Sequence, residues 1–337
     1  MSLPTVWFVI VAFFWTGFFV LEGFDFGVGA LHKVVGRTDT ERRVAINSIG
    51  PFWDGNEVWL IVAGASMFAA FPSWYASWFS ALYLALWLLL AALILRGVSF
   101  EFRGKFAVPA WRRTWGWTLT IGSLLAPLLI GIGLGDLLAG LPIDAGGDFT
   151  GTFLDLLTPF GLILGLTLLT LSLLHGSAFL TLRTSGPVLD RAQRVLRQLC
   201  LPALALVLIV VAWLVLLASP GGWGILAVSI PAVAAVVATA TGLSGRAAGA
   251  TFAATAVTIG GLVAALFVCL YPTLLVSTTD PAYSLTVANS SSSQYSLQVM
   301  TIAAAVLVPI ILLYQGWTYY VFRRRVTAGT ATTTVAG

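Results

Sequence analysis

Long apolar runs separated by short polar segments make up most of the chain. A helix that rises 1.5 Å per residue needs about 20 residues to cross a hydrocarbon core of about 30 Å. The runs reach that length and lack the alternation of a membrane barrel. The pattern therefore predicts an all-α, polytopic membrane protein that forms a single membrane domain over residues 1–337. The nine predicted spans are residues 5–30, 51–71, 74–96, 115–138, 153–182, 198–218, 223–243, 249–276 and 297–322.

Lysine and arginine occur only in every second connection between the predicted spans. Arg42 and Arg43 follow the first span, Arg112 and Arg113 follow the third, and Arg323–Arg325 follow the last. Positively charged connections stay on the cytoplasmic side of a membrane. This distribution predicts an outside N-terminus and a cytoplasmic C-terminus, and its alternation requires an odd number of spans.

The composition agrees with a membrane protein, because 59% of the residues are hydrophobic and only 9% are charged. A soluble domain normally has about a quarter charged residues. The formal net charge of +4 could indicate a nucleic-acid partner. The basic residues instead form short clusters between apolar runs, where they act as orientation signals, so no nucleic-acid partner is expected.

Four carboxylates lie within the first two predicted spans, as the pairs Glu22 with Asp25 and Asp54 with Glu57. The i,i+3 spacing places the members of each pair on one helix face. The first pair lies roughly 26–30 Å along its helix, and the second pair only about 5–9 Å along the next, antiparallel helix. Both pairs are therefore expected at one depth, near the cytoplasmic face.

Basic residues of the third span provide cations for these acids. Arg96 should lie at the end of that span and at the same depth, with Glu101 and Arg103 just beyond it. A carboxylate in hydrocarbon faces either the bundle interior or a water-filled path. For Glu22 and Asp25 we favour a structural ion-pair network with Arg96, Glu101 and Arg103.

Asp54 and Glu57 favour a different interpretation, proton handling. Asp54 has no cation close in sequence, shares its face with a second acid, and has Asn56 nearby as a partner for a chain of waters. Burial and neighbouring like charges are the conditions under which carboxyl groups exchange protons near neutral pH. A purely structural role for all of these residues remains open.

Several runs in the first hundred residues and one in the last span resemble subunit II of cytochrome bd-type quinol oxidases. The runs are Gly23–Gly29, Gly36–Arg43, Pro51–Leu60, Arg96–Arg103 and Val308–Tyr314. The predicted number of spans and the chain length agree with that family over essentially the whole chain. The middle of the chain is apolar and compatible, but it is less specific.

The resemblance implies a heterodimer in the bacterial cytoplasmic membrane. Subunit I of that family carries three haems, two of b type and one of d type, and a loop that oxidises quinol. The complex reduces dioxygen to water with protons from the cytoplasm. Subunit II is expected to be haem-free and to hold no metal. Some members add a structural quinone or a small single-helix subunit.

The resemblance also assigns roles to single residues. Asp54 matches the acid of the family's proton path, and Trp59 matches a position associated with access of dioxygen. Glu57 departs from the glutamine of some relatives, which leaves a shared mechanism with two acids open.

Two further candidates depend on the residues alone. His175 lies inside the fifth span and could be an axial haem ligand, but the chain has only one other histidine, His32. Since haem sites in helical bundles usually draw on a ligand pair, a hydrogen-bonded core histidine is the favoured interpretation. Gly23 and Gly27 have the G-xxx-G spacing of closely packed membrane helices.

Two other function classes are compatible with acids in the membrane. One is a proton-coupled secondary transporter, which normally shows repeats and broken helices with polar residues at the midplane. Here the midplane is mostly Leu, Val, Ala and Ile, and the charges gather at one face. The other is a scaffold with no role in proton flow. The preferred hypothesis is a subunit of a terminal oxidase.

Overall fold

The structure is a computed structural model that describes residues 2–218 and 221–327. The regular secondary structure of the described part is mostly α-helical, with two short 3-10 helices (Phe153–Leu156 and Pro281–Tyr283) and one two-stranded antiparallel sheet, β1 (Thr273–Leu275) with β2 (Leu285–Thr286). The helices are α1 (Leu3–Val35), α2 (Asp39–Ile49), α3 (Trp53–Ala70), α4 (Pro72–Ala81), α5 (Tyr83–Lys105), α6 (Pro109–Ala139), α7 (Pro159–Arg183), α8 (Pro187–Ala218), α9 (Gly222–Ser244), α10 (Ala248–Leu270), α11 (Val287–Ser290) and α12 (Gln294–Val321).

Eight helices of the described residues are long and apolar enough to cross a membrane, namely α1, α5 to α10 and α12. The all-α membrane architecture is therefore confirmed. Helix α3, at the second predicted span, has 18 residues and is not among the eight. Asp54, Asn56 and Glu57 in its first turns lower its hydropathy. The number of nine spans and the orientation remain predictions.

The third predicted span, 74–96, does not coincide with one helix. The chain forms α4 up to Ala81, breaks at Leu82 and continues as α5 to Lys105. Arg96 therefore lies inside a helix and not at its end. An apolar run shows which part of a helix contacts lipid. The helix itself can continue into polar residues, as α5 does from Arg96 to Lys105, because its backbone hydrogen bonds do not depend on side-chain polarity.

Two other helix boundaries lie at or close to prolines. The fifth span was predicted from residue 153, but α7 begins at Pro159, where the Thr158 hydroxyl accepts a hydrogen bond from Gly161 N at 3.0 Å. The eighth was predicted to residue 276, but α10 ends at Leu270, two residues before Pro272. Proline fits a first helical turn, and it disfavours the helical conformation of the residue that precedes it.

Helix α2 was not predicted, although its capping box is visible in the sequence. Glu41 N donates to the Thr38 hydroxyl at 3.2 Å, and Thr38 N donates to Glu41 Oε2 at 3.0 Å. Arg191 of α8 donates to the same carboxylate at 2.8 Å. The hydrogen bonds from Arg191 and then from the Thr38 backbone lower the pKa of Glu41 to about 2. This charged contact links α2 to α8.

Helix α1 lies at the centre of the bundle, against α3, α6, α7 and α10. Its closest approach is to α7, where a Cβ added at Gly27 would lie 2.8 Å from Gly176 Cα. At Gly23 the nearest atom, in Ile259, would be 3.6 Å away. Gly27, and not Gly23, is therefore the residue at which α1 packs closely against α7, and its neighbour there is Gly176.

The chain alternates direction, so the basic clusters gather at one end of the bundle. We call this the basic end. It is the end at which α1, α5 and α7 finish, at Val35, Lys105 and Arg183, and at which α3 and α6 begin, at Trp53 and Pro109.

Candidate functional site

A buried ionic cluster joins α1, α3, α5 and α6 toward the basic end. Arg96 Nη2 lies 2.6 Å from Glu22 Oε1, an ion pair outside hydrogen-bond alignment, and Arg96 Nη1 lies 3.5 Å from Glu57 Oε2. Arg96 Nε donates to the Ser123 hydroxyl at 3.3 Å. Arg96 and Glu22 are fully buried, while 22% of the Glu57 side chain is exposed.

A second set of hydrogen bonds extends from Asp25 to α12. Asn56 Nδ2 donates to Asp25 Oδ2 at 2.6 Å and to the Leu21 carbonyl at 3.1 Å. Asn56 Oδ1 accepts from Gln315 Nε2 at 2.7 Å and from the Tyr319 hydroxyl at 2.9 Å. Asn56 thereby connects three helices. We call Glu22, Asp25, Asn56, Glu57 and Arg96 the Arg96 cluster.

Aromatic rings and a glycine fix the position of the Arg96 side chain. Its guanidinium carbon lies 4.7 Å from the centre of the Phe26 ring and 5.4 Å from that of Phe100, within cation–π range. At Gly122 of α6, an added Cβ would lie 2.6 Å from the Ala92 carbonyl oxygen. The lack of a side chain there lets α5 and α6 approach closely beside Arg96.

The composition of the Arg96 cluster allows it to exchange protons. It holds three carboxyl groups and one guanidinium. The single positive charge can fully compensate the negative charge of only one carboxylate. Uncompensated buried charge is strongly unfavourable, so acids in such a group titrate together and share protons. Glu57 is the member that is partly exposed.

Asp54 lies apart from this cluster. Its side chain is exposed, and it makes no hydrogen bond or ion pair with the described residues. The expectation that Asn56 accompanies Asp54 is wrong, because successive residues are about 100° apart around a helix and Asn56 lies about 200° from Asp54. Glu57, about 60° from Asp54, reaches the interior, so the pair spans the edge between the exposed and buried faces of α3.

Two residues of the predicted ion-pair network also lie elsewhere. Arg103 Nη2 contacts Asp39 Oδ1 of α2 at 2.5 Å. Glu101 is exposed and has no ion pair among the described residues. Arg103 is two turns beyond Arg96, about 10 Å farther along α5, which removes it from the acids and brings it to α2.

The comparisons with known proteins identify the family. Residues 3–322 match the model of cytochrome bd terminal oxidase subunit II. The chain is 40% identical over 328 residues to cytochrome bd ubiquinol oxidase subunit 2 of Bacillus subtilis (strain 168), covering 96% of this chain and 97% of that protein. Its identity to cytochrome bd-I ubiquinol oxidase subunit 2 of Escherichia coli (strain K12) is 36% over 361 residues, 96% of this chain and 95% of that one. The chain belongs to the cytochrome bd terminal oxidase subunit II family.

A solved structure has the same fold as this subunit II. A chain of the bd oxidase from Geobacillus thermodenitrificans superimposes with a TM-score of 0.73 at 18% identity, covering 96% of this chain and 99% of that chain. Family membership confirms the resemblance found in the sequence. The protein is thus part of an oxidoreductase complex, and it is a multi-pass protein of the bacterial cytoplasmic membrane.

His175 of this subunit II is fully engaged by protein groups. Its Nδ1 lies 2.7 Å from the Thr255 hydroxyl, and its Nε2 lies 3.2 Å from the Val20 carbonyl oxygen. The ring stacks on Phe252 with a centroid distance of 4.4 Å. With both nitrogens hydrogen-bonded, the residue is not placed as an axial ligand. No group of three His, Cys, Asp or Glu side chains among the described residues is arranged to hold a metal ion.

Trp59 packs into the bundle in an apolar environment. Its ring covers Gly17, and its centroid lies 5.7 Å from that of Phe13 and 5.9 Å from that of Phe14. The side chain is buried. The sequence had indicated the position but not this packing.

An apolar cavity of about 460 Å³ opens on the face of α3 that is opposite Trp59. It is lined by residues of α1 and of α3 to α6, including Leu60, Phe68, Trp78, Leu89 and Ile130. Trp59 is not among the lining residues. No sequence pattern marked this cavity, because its walls come from five helices, each of which is apolar on most sides.

One further buried acid, Asp136, was not singled out from the sequence. Asp136, near the end of α6 opposite the basic end, accepts a hydrogen bond from the Thr158 hydroxyl at 2.6 Å, and its side chain is fully buried. In the sequence, Asp136 is visible as a single acid in an otherwise apolar run. Its partner is the N-cap residue of α7, so the acid joins the start of α7 to α6.

Proposed function

We propose that this chain is the haem-free subunit II of a quinol oxidase complex. In this proposal the complex oxidises quinol and reduces dioxygen to water, and a larger subunit I holds the haems. The full-length match to proteins named cytochrome bd ubiquinol oxidase subunit 2 carries the proposal. The engaged nitrogens of His175 support a haem-free chain.

A purification tests the assembly. The tagged chain, isolated from native membranes in mild detergent, is expected to bring along a larger subunit with b- and d-type haem absorbance and quinol oxidase activity. A proton-coupled transporter would instead migrate without haem. Isolation of the intact chain free of any haem-bearing partner would contradict the proposal. An unrelated tagged membrane protein from the same cells is the control.

We further infer that the Arg96 cluster passes protons from the basic end into the complex. The positive-inside rule assigns the basic end to the cytoplasm. Asp54 is exposed at that end and is the proposed entry group, and Glu57, partly exposed and beside Arg96, is the next acceptor. Beyond Arg96, Glu22 and Asp25 are the buried acids that can receive the proton.

Asp54→Asn is expected to lower the rate of quinol-driven dioxygen reduction roughly ten- to a hundredfold. A positioned proton-transfer group typically contributes about a hundredfold or more to a rate, so this is a modest expectation. The side chain has no partner among the described residues, so the substitution should leave folding intact. The measurement is oxygen consumption together with membrane-potential formation in proteoliposomes that contain the purified complex.

Glu101→Gln is the matched control, since Glu101 is an exposed acid at the same end outside the cluster. Its activity should equal that of the unmodified complex. Unchanged turnover in both Asp54→Asn and Glu57→Gln, with normal haem content, would contradict the proton path and favour a scaffold role. The assignment of Trp59 to dioxygen access remains a prediction, and its apolar surroundings suit a small apolar gas.

A further inference from the structure

An open cavity of about 420 Å³ lies at the basic end, between α2 and the connection from α5 to α6. It is separate from the Arg96 cluster, with which it shares no residue. Its lining residues are Asp39, Arg42, Ala107, Pro109, Ala110, Arg112 and Arg113.

The cavity has far more positive than negative charge. Among the described residues, Asp39 is the only acid in its lining, and three arginines already share that carboxylate. Arg103 contacts it at 2.5 Å, Arg112 at 2.9 Å and Arg43 at 3.5 Å. The carboxylate therefore neutralises only one of these three positive charges.

Several guanidinium donors around the cavity have no anionic partner in the part of the chain that the structure describes. Arg113 is exposed and forms no hydrogen bond or ion pair with the described residues. Within residues 2–218 and 221–327, Arg42 donates only to backbone carbonyls, from Nε to Gly36 at 3.0 Å and from Nη2 to Arg37 at 3.4 Å. Arg103 lies behind Asp39 with 6% of its surface exposed, and its buried Nε has no partner among the described residues.

The first turn of α6 adds a second source of positive potential. Its N-cap residue, Val108, cannot provide a side-chain acceptor, and Pro109 and Ala110 form part of the cavity wall. The first N–H groups of a helix lack intrahelical partners, and they favour an anion. A 31-residue helix therefore begins, uncapped by a side chain, at an arginine-lined cavity.

We propose that this cavity binds the phosphate group of an anionic phospholipid. Exposed apolar and aromatic side chains lie beside it, with Phe106 54%, Val108 55% and Trp117 53% exposed. Lys33 Nζ lies 3.6 Å from the Trp117 ring centre. Aromatic and basic side chains together are typical of the headgroup layer, so the phosphate belongs to a lipid and not to a soluble metabolite.

Lipid titration of the delipidated oxidase complex tests the site. Phosphatidylglycerol, phosphatidylcholine and inorganic phosphate are added separately, and the unfolding temperature and the lipids retained in native mass spectrometry are recorded. Phosphatidylglycerol is expected to stabilise the complex and to remain bound. Arg113→Gln should raise its half-saturating concentration roughly fivefold, the effect of one basic side chain at an anionic surface. The haem spectrum verifies that the variant complex is assembled.

Arg194→Gln is the matched control, because Arg194 is an exposed arginine of α8 that lines no part of this cavity. It should bind phosphatidylglycerol as the unmodified complex does. Equal effects of the two substitutions, or equal binding of phosphatidylcholine and phosphatidylglycerol, would overturn the proposal. Full stabilisation by millimolar inorganic phosphate, with none added by phosphatidylglycerol, would assign the cavity to a soluble phosphate and refute the lipid.

Discussion

Replacement of Arg96 by methionine is expected to destabilise the protein by about 3–5 kcal/mol, the usual effect of removing one partner of a buried ion pair. Glu22 is fully buried and would lose the cation 2.6 Å away, and Glu57 would lose the same cation. A chain destabilised to this extent should assemble poorly with its partner. The measurements are the haem absorbance of the purified complex per cell mass and its unfolding temperature.

Two further variants separate charge from packing. Arg96→Met combined with Glu22→Gln should recover part of the lost stability, because it removes the most deeply buried carboxylate that would be left unpaired. Arg194→Met changes an exposed arginine and should have no effect. Normal assembly and stability of the Arg96→Met complex would show that the Arg96 cluster does not hold the helices together.

Gly27→Ala is expected to destabilise the bundle by about 3 kcal/mol, toward the upper end of the range for overpacking. The added methyl group would meet the Ser172 carbonyl oxygen and lie 2.8 Å from Gly176 Cα. Both neighbours are backbone atoms, so no flexible side chain can move away, and α1 would have to separate from α7. The unfolding temperature of the complex measures the effect.

The same substitution at Gly249 is the control. A Cβ at that glycine of α10 would have no atom of the described residues within 4 Å, so Gly249→Ala should leave the unfolding temperature unchanged or slightly raised. Equal unfolding temperatures for the Gly27→Ala and Gly249→Ala complexes would mean that α1 and α7 do not depend on this contact.

The sequence alone determined the class of the protein and the depth of its acids. Burial of apolar residues in lipid is additive along a chain, so composition and run length predict membrane helices without any knowledge of neighbours. Axial rise is equally regular. Counting residues therefore placed Glu22, Asp25 and Glu57 near one level, together with Arg96, although the helix that carries Arg96 continues to Lys105. Motifs near the N-terminus also indicated the family correctly.

Tertiary structure decided which of these groups meet. Partners depend on the rotation of each helix about its axis, and a helix that is apolar on nearly all sides has no periodic signal to define that rotation. Hence the sequence grouped Asp54 with Asn56, whereas the structure joins Asn56 to Asp25 and Glu57 to Arg96.

The two cavities and the α1–α7 contact were likewise decided by tertiary structure and not by the sequence alone. The apolar cavity beside α3, the arginine-lined cavity at the basic end and the approach of Gly27 to Gly176 each require residues from separate parts of the chain. Residue spacing along one helix determines depth and face, but the distance between two helices follows from how all of their side chains pack. The sequence therefore determined the helices and the level of the charges, and packing decided their partners.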